Sequence, residues 1–76
     1  MHVWVMDLGG KLRQRRILLG LSQPQLAALS GVSTRTIQLV ERGKGNPSLE
    51  TMLQMADPLG LGIDFVLKDP AKTTEL

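Results

Sequence analysis

The sequence predicts an all-α domain of four to five helices, closed by a short C-terminal β-strand that pairs across a dimer. Three observations predict it. Ser22, Ser33 and Ser48 each stand just before a short segment with helical apolar spacing, where a hydroxyl can cap the first backbone N–H groups. Gly20, Gly31 and Gly43 each stand just after such a segment, where helices stop. From Leu61 onward the apolar period changes from helical to alternating.

Each element follows in order. Residues 1–7 form an N-terminal extension in which Val3–Trp4–Val5 is a candidate strand. Asp7 is placed to cap a first helix from Leu8 to Leu19, with Leu8, Leu12 and Leu19 on one stripe and Gly20 as its stop. Ser22 caps the second helix, and Gln25 three residues on completes a capping box. Pro24 sits in the first turn, where a missing N–H costs little. This helix runs to Ser30 and is expected to bury Leu26, Ala27 and Leu29, before Gly31 opens a turn.

Ser33 caps the third helix, Thr34 to Arg42. At 100° per residue, Thr36, Ile37, Val40 and Glu41 gather on one side, and Arg35, Gln38, Leu39 and Arg42 on the other, with Thr34 at its edge. One face packs; the opposite face offers a guanidinium, an amide and a hydroxyl. Asn46–Pro47 is a loop, and Ser48 caps a fourth helix whose expected buried stripe is Leu49, Met52, Leu53 and Ala56. Met52 and Met55 read as core filler. Pro58 ends or kinks this helix.

In residues 61–68, Leu61, Ile63, Phe65 and Leu67 alternate with Gly62, Asp64, Val66 and Lys68. A lone strand cannot satisfy its own backbone, so it needs Val3–Val5 or the same segment of a second copy. The competing reading is a short fifth helix. Residues 69–76 are polar, and are expected to form a flexible tail.

Composition narrows the class. Seventy-six residues make one domain, and a chain this short buries only about 60% of its unfolded surface. Its own core then supplies on the order of 3–5 kcal/mol, so a partner subunit is a natural source of further burial. There is no Cys, which excludes disulfides and thiolate metal sites and fits a reducing cytoplasm. No apolar run reaches the ~18 residues of a membrane span. The net charge of +2 is unevenly spread. Residues 1–44 carry seven basic residues against two acidic ones, a balance of +5, whereas residues 45–76 carry two against five, a balance of −3. A polyanion should therefore meet the N-terminal half. The single His, at position 2, makes no metal site, and with no paired acids in a pocket and no phosphate-cradling loop the chain is read as neither an enzyme nor a cofactor binder.

Two short helices joined by a glycine turn, the second with a polar outer face, form a helix-turn-helix. Leu21-Ser22-Gln23, Leu26-Ala27, Gly31-Val32-Ser33, Ile37, Glu41-Arg42-Gly43-Lys44 and Asn46-Pro47-Ser48-Leu49 follow one another at the spacing of a known family. Over residues 8–60 the chain resembles the Cro/C1-type (XRE-like) repressors and antitoxins, which implies a lambda-repressor-like fold and sequence-specific binding to double-stranded DNA. The small Ala27 lets the two helices approach, and Val32 and Ile37 fill the wedge between them. Carried over by position, the resemblance puts Thr34, Arg35, Gln38 and Leu39 in the major groove. It puts Gln23, Ser33, Thr36, Arg42 and Lys44 on phosphates. The fork of Arg35 matches guanine O6 and N7, and Thr34 or Leu39 can meet a thymine methyl. Phosphate contacts fix register, and base contacts choose sequence.

The same resemblance pairs Arg16 with Glu41 as a structural ion pair. Arg15 departs from it, standing where the family is aliphatic, as do Ile17 and Leu18, where it is polar; the first helix either rotates or offers an apolar face to a partner. A two-fold dimer held by Leu61, Ile63, Phe65 and Leu67 implies an inverted-repeat operator with recognition helices about 34 Å apart. The tail resembles that of HipB-type antitoxins, which implies an autoregulating repressor that also binds a kinase-fold toxin of the HipA kind. The alternatives are a stand-alone phage-type or restriction-controller regulator and, from another class, a protein-interaction module without DNA binding.

Overall fold

The computed structural model describes residues 2–64, with side chains from Leu8 onward. In chain order it has α1 (His2–Leu18), α2 (Gln23–Ser30), α3 (Thr34–Glu41) and α4 (Leu49–Ala56), then a 3-10 turn at Asp57–Leu59. Both α1 and α2 pack on α3. Leu26, Ile37, Met55 and Leu59, fully buried, form the centre of the core.

The first correction concerns the N-terminus. Val3–Trp4–Val5 is helical and belongs to α1, so the candidate strand there is replaced by helix, and Asp7 lies inside the helix instead of capping it. A helix satisfies its own backbone, whereas a strand there would need a neighbour. Of the stripe expected on α1, Leu12 alone is buried. Leu8 is 40% exposed, and Leu19, 44% exposed, lies past the end of the helix. Gly9 is also buried, and a Cβ there would overlap the carbonyl oxygen of Val40 in α3. Gly9, Leu12 and Arg16 recur at helical spacing, so this side of α1 faces α3 with a glycine at the closest approach. Ile17 and Leu18, on the other side, are 51% and 73% exposed. Two backbone bonds end α1: Gly20 N–H to Ile17 O at 2.9 Å and Leu21 N–H to Arg16 O at 3.0 Å.

α2 opens with a capping box. Ser22 Oγ accepts from Gln25 N–H at 3.1 Å, and Gln25 Oε1 accepts from Ser22 N–H at 2.7 Å. Leu26 is buried and Ala27 half-buried, but Leu29, expected inside, is 61% exposed. It lines a shallow hollow of about 580 Å³ with Leu53, Pro58 and Ile63. Gly31 ends α2 at φ +77°, a backbone angle that other residues adopt at a cost, and its N–H bonds Ala27 O at 2.9 Å.

The buried face of α4 is Met52, Met55 and Ala56, while Leu49 and Leu53 are exposed. The buried stripe is rotated relative to the expected one. Spacings of 49, 52, 53, 56 and of 52, 55, 56, 59 are equally helical, and the second wins because the chain carries on as the 3-10 turn through Pro58, burying Leu59. Arg15 Nε donates to Leu59 O at 2.9 Å, which ties α1 to this turn.

The expected strand is absent from its first four residues. Leu61 N–H bonds Ala56 O at 3.0 Å, its side chain packs against the core, and residues 61–64 have no regular structure. A backbone N–H used to end a helix is unavailable to a sheet. Phe65 and Leu67, with the rest of the expected strand and residues 69–76, lie outside the described residues.

Candidate nucleic-acid interface

The geometry of α3 starts at its cap. Ser33 Oγ accepts from Thr36 N–H at 3.1 Å and its hydroxyl donates to Thr36 Oγ1 at 2.9 Å, so both side chains are held at the helix N-terminus. From there the helix has two faces. Ile37, Val40 and Glu41 are buried; Arg35, Gln38, Leu39 and Arg42 are exposed, with Thr34 and Thr36 half-buried between them. Four of these residues, Arg35, Gln38, Leu39 and Arg42, thus share one solvent face by helical spacing. Lys44 is exposed just beyond the helix. A hollow of about 180 Å³ lies between Thr36 and Leu39 on one side and Lys44 and Pro47 on the other.

Behind this face lies an ion pair. Arg16 Nε donates to Glu41 Oε2 at 2.7 Å and Nη2 to Oε1 at 2.9 Å, a two-pronged contact with both side chains buried. Arg16 Nη1 donates to Leu21 O at 2.8 Å, so the guanidinium also holds the turn before α2. The hydrogen bond to Glu41 raises the Arg16 pKa above its ordinary value; desolvation opposes it and the Coulomb attraction of Glu41 adds to it. Among the described residues, every buried side-chain nitrogen and oxygen has a partner.

Gln23 stands apart from the other residues expected on phosphates. It is half-buried, and its Nε2 donates to Glu41 Oε1 at 3.1 Å. That bond had no signal in the sequence, nor did the Arg15 contact with Leu59. The role of Gly9 had a weak one: a glycine inside a helical pattern costs about 1 kcal/mol against alanine, and close packing is one thing that offsets it. Of the residues expected at a dimer interface, Leu61 is half-buried on its own core and Ile63 is 38% exposed. Among the described residues there is no cluster of acids and histidines able to hold a metal, and no helix long and apolar enough to cross a membrane.

Two short helices set by serine caps around a glycine turn, with the second helix offering a guanidinium and an amide to solvent and Arg42 and Lys44 just past its end, define a helix-turn-helix of the DNA-binding class. Residues 12–66 match the helix-turn-helix family model, and the chain belongs to that family, whose members include transcriptional regulators. It is 48% identical over 48 residues to an HTH-type transcriptional regulator of Haemophilus influenzae, a match covering 63% of this chain and 49% of that protein. It is 39% identical over 61 residues to an HTH-type regulator of Methanocaldococcus jannaschii, covering 78% of this chain and 92% of that one. The solved structure of the restriction-modification controller protein C.AhdI from Aeromonas hydrophila aligns with a TM-score of 0.73 at 38% identity, over 79% of this chain and 91% of that one. The chain spans about half the length of several curated relatives, 49% of the Haemophilus protein and 57% of a regulator of Rhodospirillum rubrum.

Proposed function

We propose that this chain is a sequence-specific repressor that binds an inverted-repeat operator as a homodimer, a stand-alone regulator of the controller kind. The observation that carries the proposal is the exposed face of α3, where Arg35, Gln38, Leu39 and Arg42 stand together beside Lys44 while the opposite face is buried. Arg35, Thr34, Gln38 and Leu39 read base edges; Ser33, Thr36, Arg42, Lys44 and Gln23 hold phosphates. The likeness to a restriction-modification controller supports the stand-alone kind. Ile63, with Phe65 and Leu67 beyond it, supplies the dimer contact.

One observation favours the antitoxin alternative. The hollow lined by Leu29, Leu53 and Ile63 is built from α2, α4 and the segment after them, with no α3 residue in its lining, and it suits a protein partner. Co-purification with the product of the adjacent gene separates the two: a stable complex with a kinase-fold protein makes the chain an antitoxin, and its absence leaves the controller.

DNA binding itself is tested by Arg35→Ala, read by fluorescence anisotropy on the chain's own promoter and on a scrambled duplex at fixed salt. The expected loss is about 1–3 kcal/mol on the promoter and little on the scrambled DNA. Equal losses on both would move Arg35 from the bases to the phosphates.

A further inference from the structure

Three helices meet at one carboxylate. Glu41, on the buried face of α3, accepts two bonds from Arg16 of α1 and one from Gln23, the first residue of α2. Oε1 takes both the Arg16 Nη2 bond at 2.9 Å and the Gln23 Nε2 bond at 3.1 Å. We propose that Glu41 is a positioning residue for DNA binding: it holds the Gln23 amide so that Nε2 keeps its second N–H for a backbone phosphate. This rests on the reading of Gln23 as a phosphate contact given above.

The chemistry of the amide carries the step. A phosphate oxygen only accepts, and the Gln side chain has a single donor atom, with two hydrogens, at one end of its amide and an acceptor at the other. A free Gln turns either end outward. A carboxylate at hydrogen-bond distance removes that choice, because turning Oε1 toward it would set two acceptors against each other. One N–H is then spent on Glu41 and the other remains. The sequence Arg16, Glu41, Gln23, phosphate alternates donor and acceptor at each link. Arg16 also balances the charge of Glu41, so the carboxylate does not by itself repel the phosphate. Its third bond, to Leu21 O just before the α2 cap, holds the start of α2 in place beside the same pair. Fixing the amide before DNA arrives lowers the cost of ordering it on binding.

The test has two arms. In the intact free protein, the ¹⁵N heteronuclear NOE of Gln23 Nε2 should match the rigid backbone, while that of the exposed Gln38 should show free motion. In DNA titrations at fixed salt, Gln23→Ala should weaken operator binding by about tenfold in the otherwise unchanged protein, but less than twofold when Glu41→Gln is already present. A Gln23 amide as mobile as that of Gln38, or losses that add in full, overturns the positioning role while leaving the phosphate contact standing. A rigid amide with no loss of binding in Gln23→Ala overturns the phosphate contact, and the proposal with it. If Glu41→Gln fails to fold, the NOE comparison in the unsubstituted protein decides alone.

Discussion

The α2–α3 pair and α1 are specified in different ways. The ends of α2 and α3 are set by groups within a few residues of each other: Ser22 with Gln25, Ser33 with Thr36, and Gly31 back to Ala27. α1 also ends on local backbone bonds, but it is held in place by groups far away in sequence. Gly9 lies on Val40, Arg16 bonds Glu41 across 25 residues, and Arg15 bonds Leu59 across 44. Local chemistry builds the motif that carries the exposed face of α3, and distant contacts brace it from behind. Each such contact is a point at which α1 and the motif can be uncoupled.

The strongest break is Glu41→Ala. It strands the buried Arg16 guanidinium, and removing one partner of a buried pair costs about 3–5 kcal/mol. A core of this size rarely supplies more than that, so the variant should be largely unfolded at room temperature by circular dichroism. Arg16→Met combined with Glu41→Leu should cost far less, since no charge is left buried. A double variant as unstable as the single one would mean that close packing, and not the pair, braces α1. On the alkaline side the pair is robust. Because the Arg16 pKa is raised in the fold, its contribution is fully present below the unfolded pKa and is lost only as pH rises through the higher folded value.

Adjacent glycines give a finer test of the same contact. A Cβ at Gly9 meets the Val40 carbonyl, whereas one at Gly10 meets nothing within 4 Å. Alanine favours a helix over glycine by about 1 kcal/mol at either position. At Gly10 that gain should appear almost whole, raising Tm by roughly 4–8 °C. At Gly9 the overlap should outweigh it, for a net loss of about 1–3 kcal/mol. Opposite signs at neighbouring positions in thermal melts are the expected outcome. Stabilisation by both substitutions would mean that α1 and α3 do not approach this closely.

These contrasts explain what could be read in the sequence. The three serine caps, the Gly31 turn and the two faces of α3 were legible because their causes lie within one or two helical turns. The Arg16–Glu41 pair came only from family resemblance, since two charges 25 residues apart leave no periodic trace. The start of α1 is hidden in the sequence because Val3–Trp4–Val5 satisfies strand propensity locally, while the helix wins by satisfying its own backbone. Leu49 and Leu53 read as buried because their spacing is as helical as that of Met52, Met55 and Leu59; the 3-10 turn through Pro58 breaks that tie. Leu61 starts an alternating pattern in the sequence, but its N–H closes the helix at Ala56. The part of the site built from one helix was therefore visible, and the support built from three was not.

The smallest expected effect compares two caps of identical design. Ser33 accepts from Thr36 N–H and donates to Thr36 Oγ1; Ser48 accepts from Thr51 N–H at 3.1 Å and donates to Thr51 Oγ1 at 3.0 Å. As local structure they are equivalent, so Ser33→Ala and Ser48→Ala should each cost about 1 kcal/mol of stability, and glycine at either position only a few tenths. Their surroundings differ. Ser33 opens the helix that bears Arg35 and Gln38, and Ser48 opens α4, whose residues take no part in that face. Only Ser33→Ala should also weaken operator binding, because it removes a hydroxyl from the N-terminal end of α3, where backbone N–H groups favour a phosphate. Equal losses of DNA affinity in the two variants would show that the caps act on binding through stability alone, and would take Ser33 out of the interface.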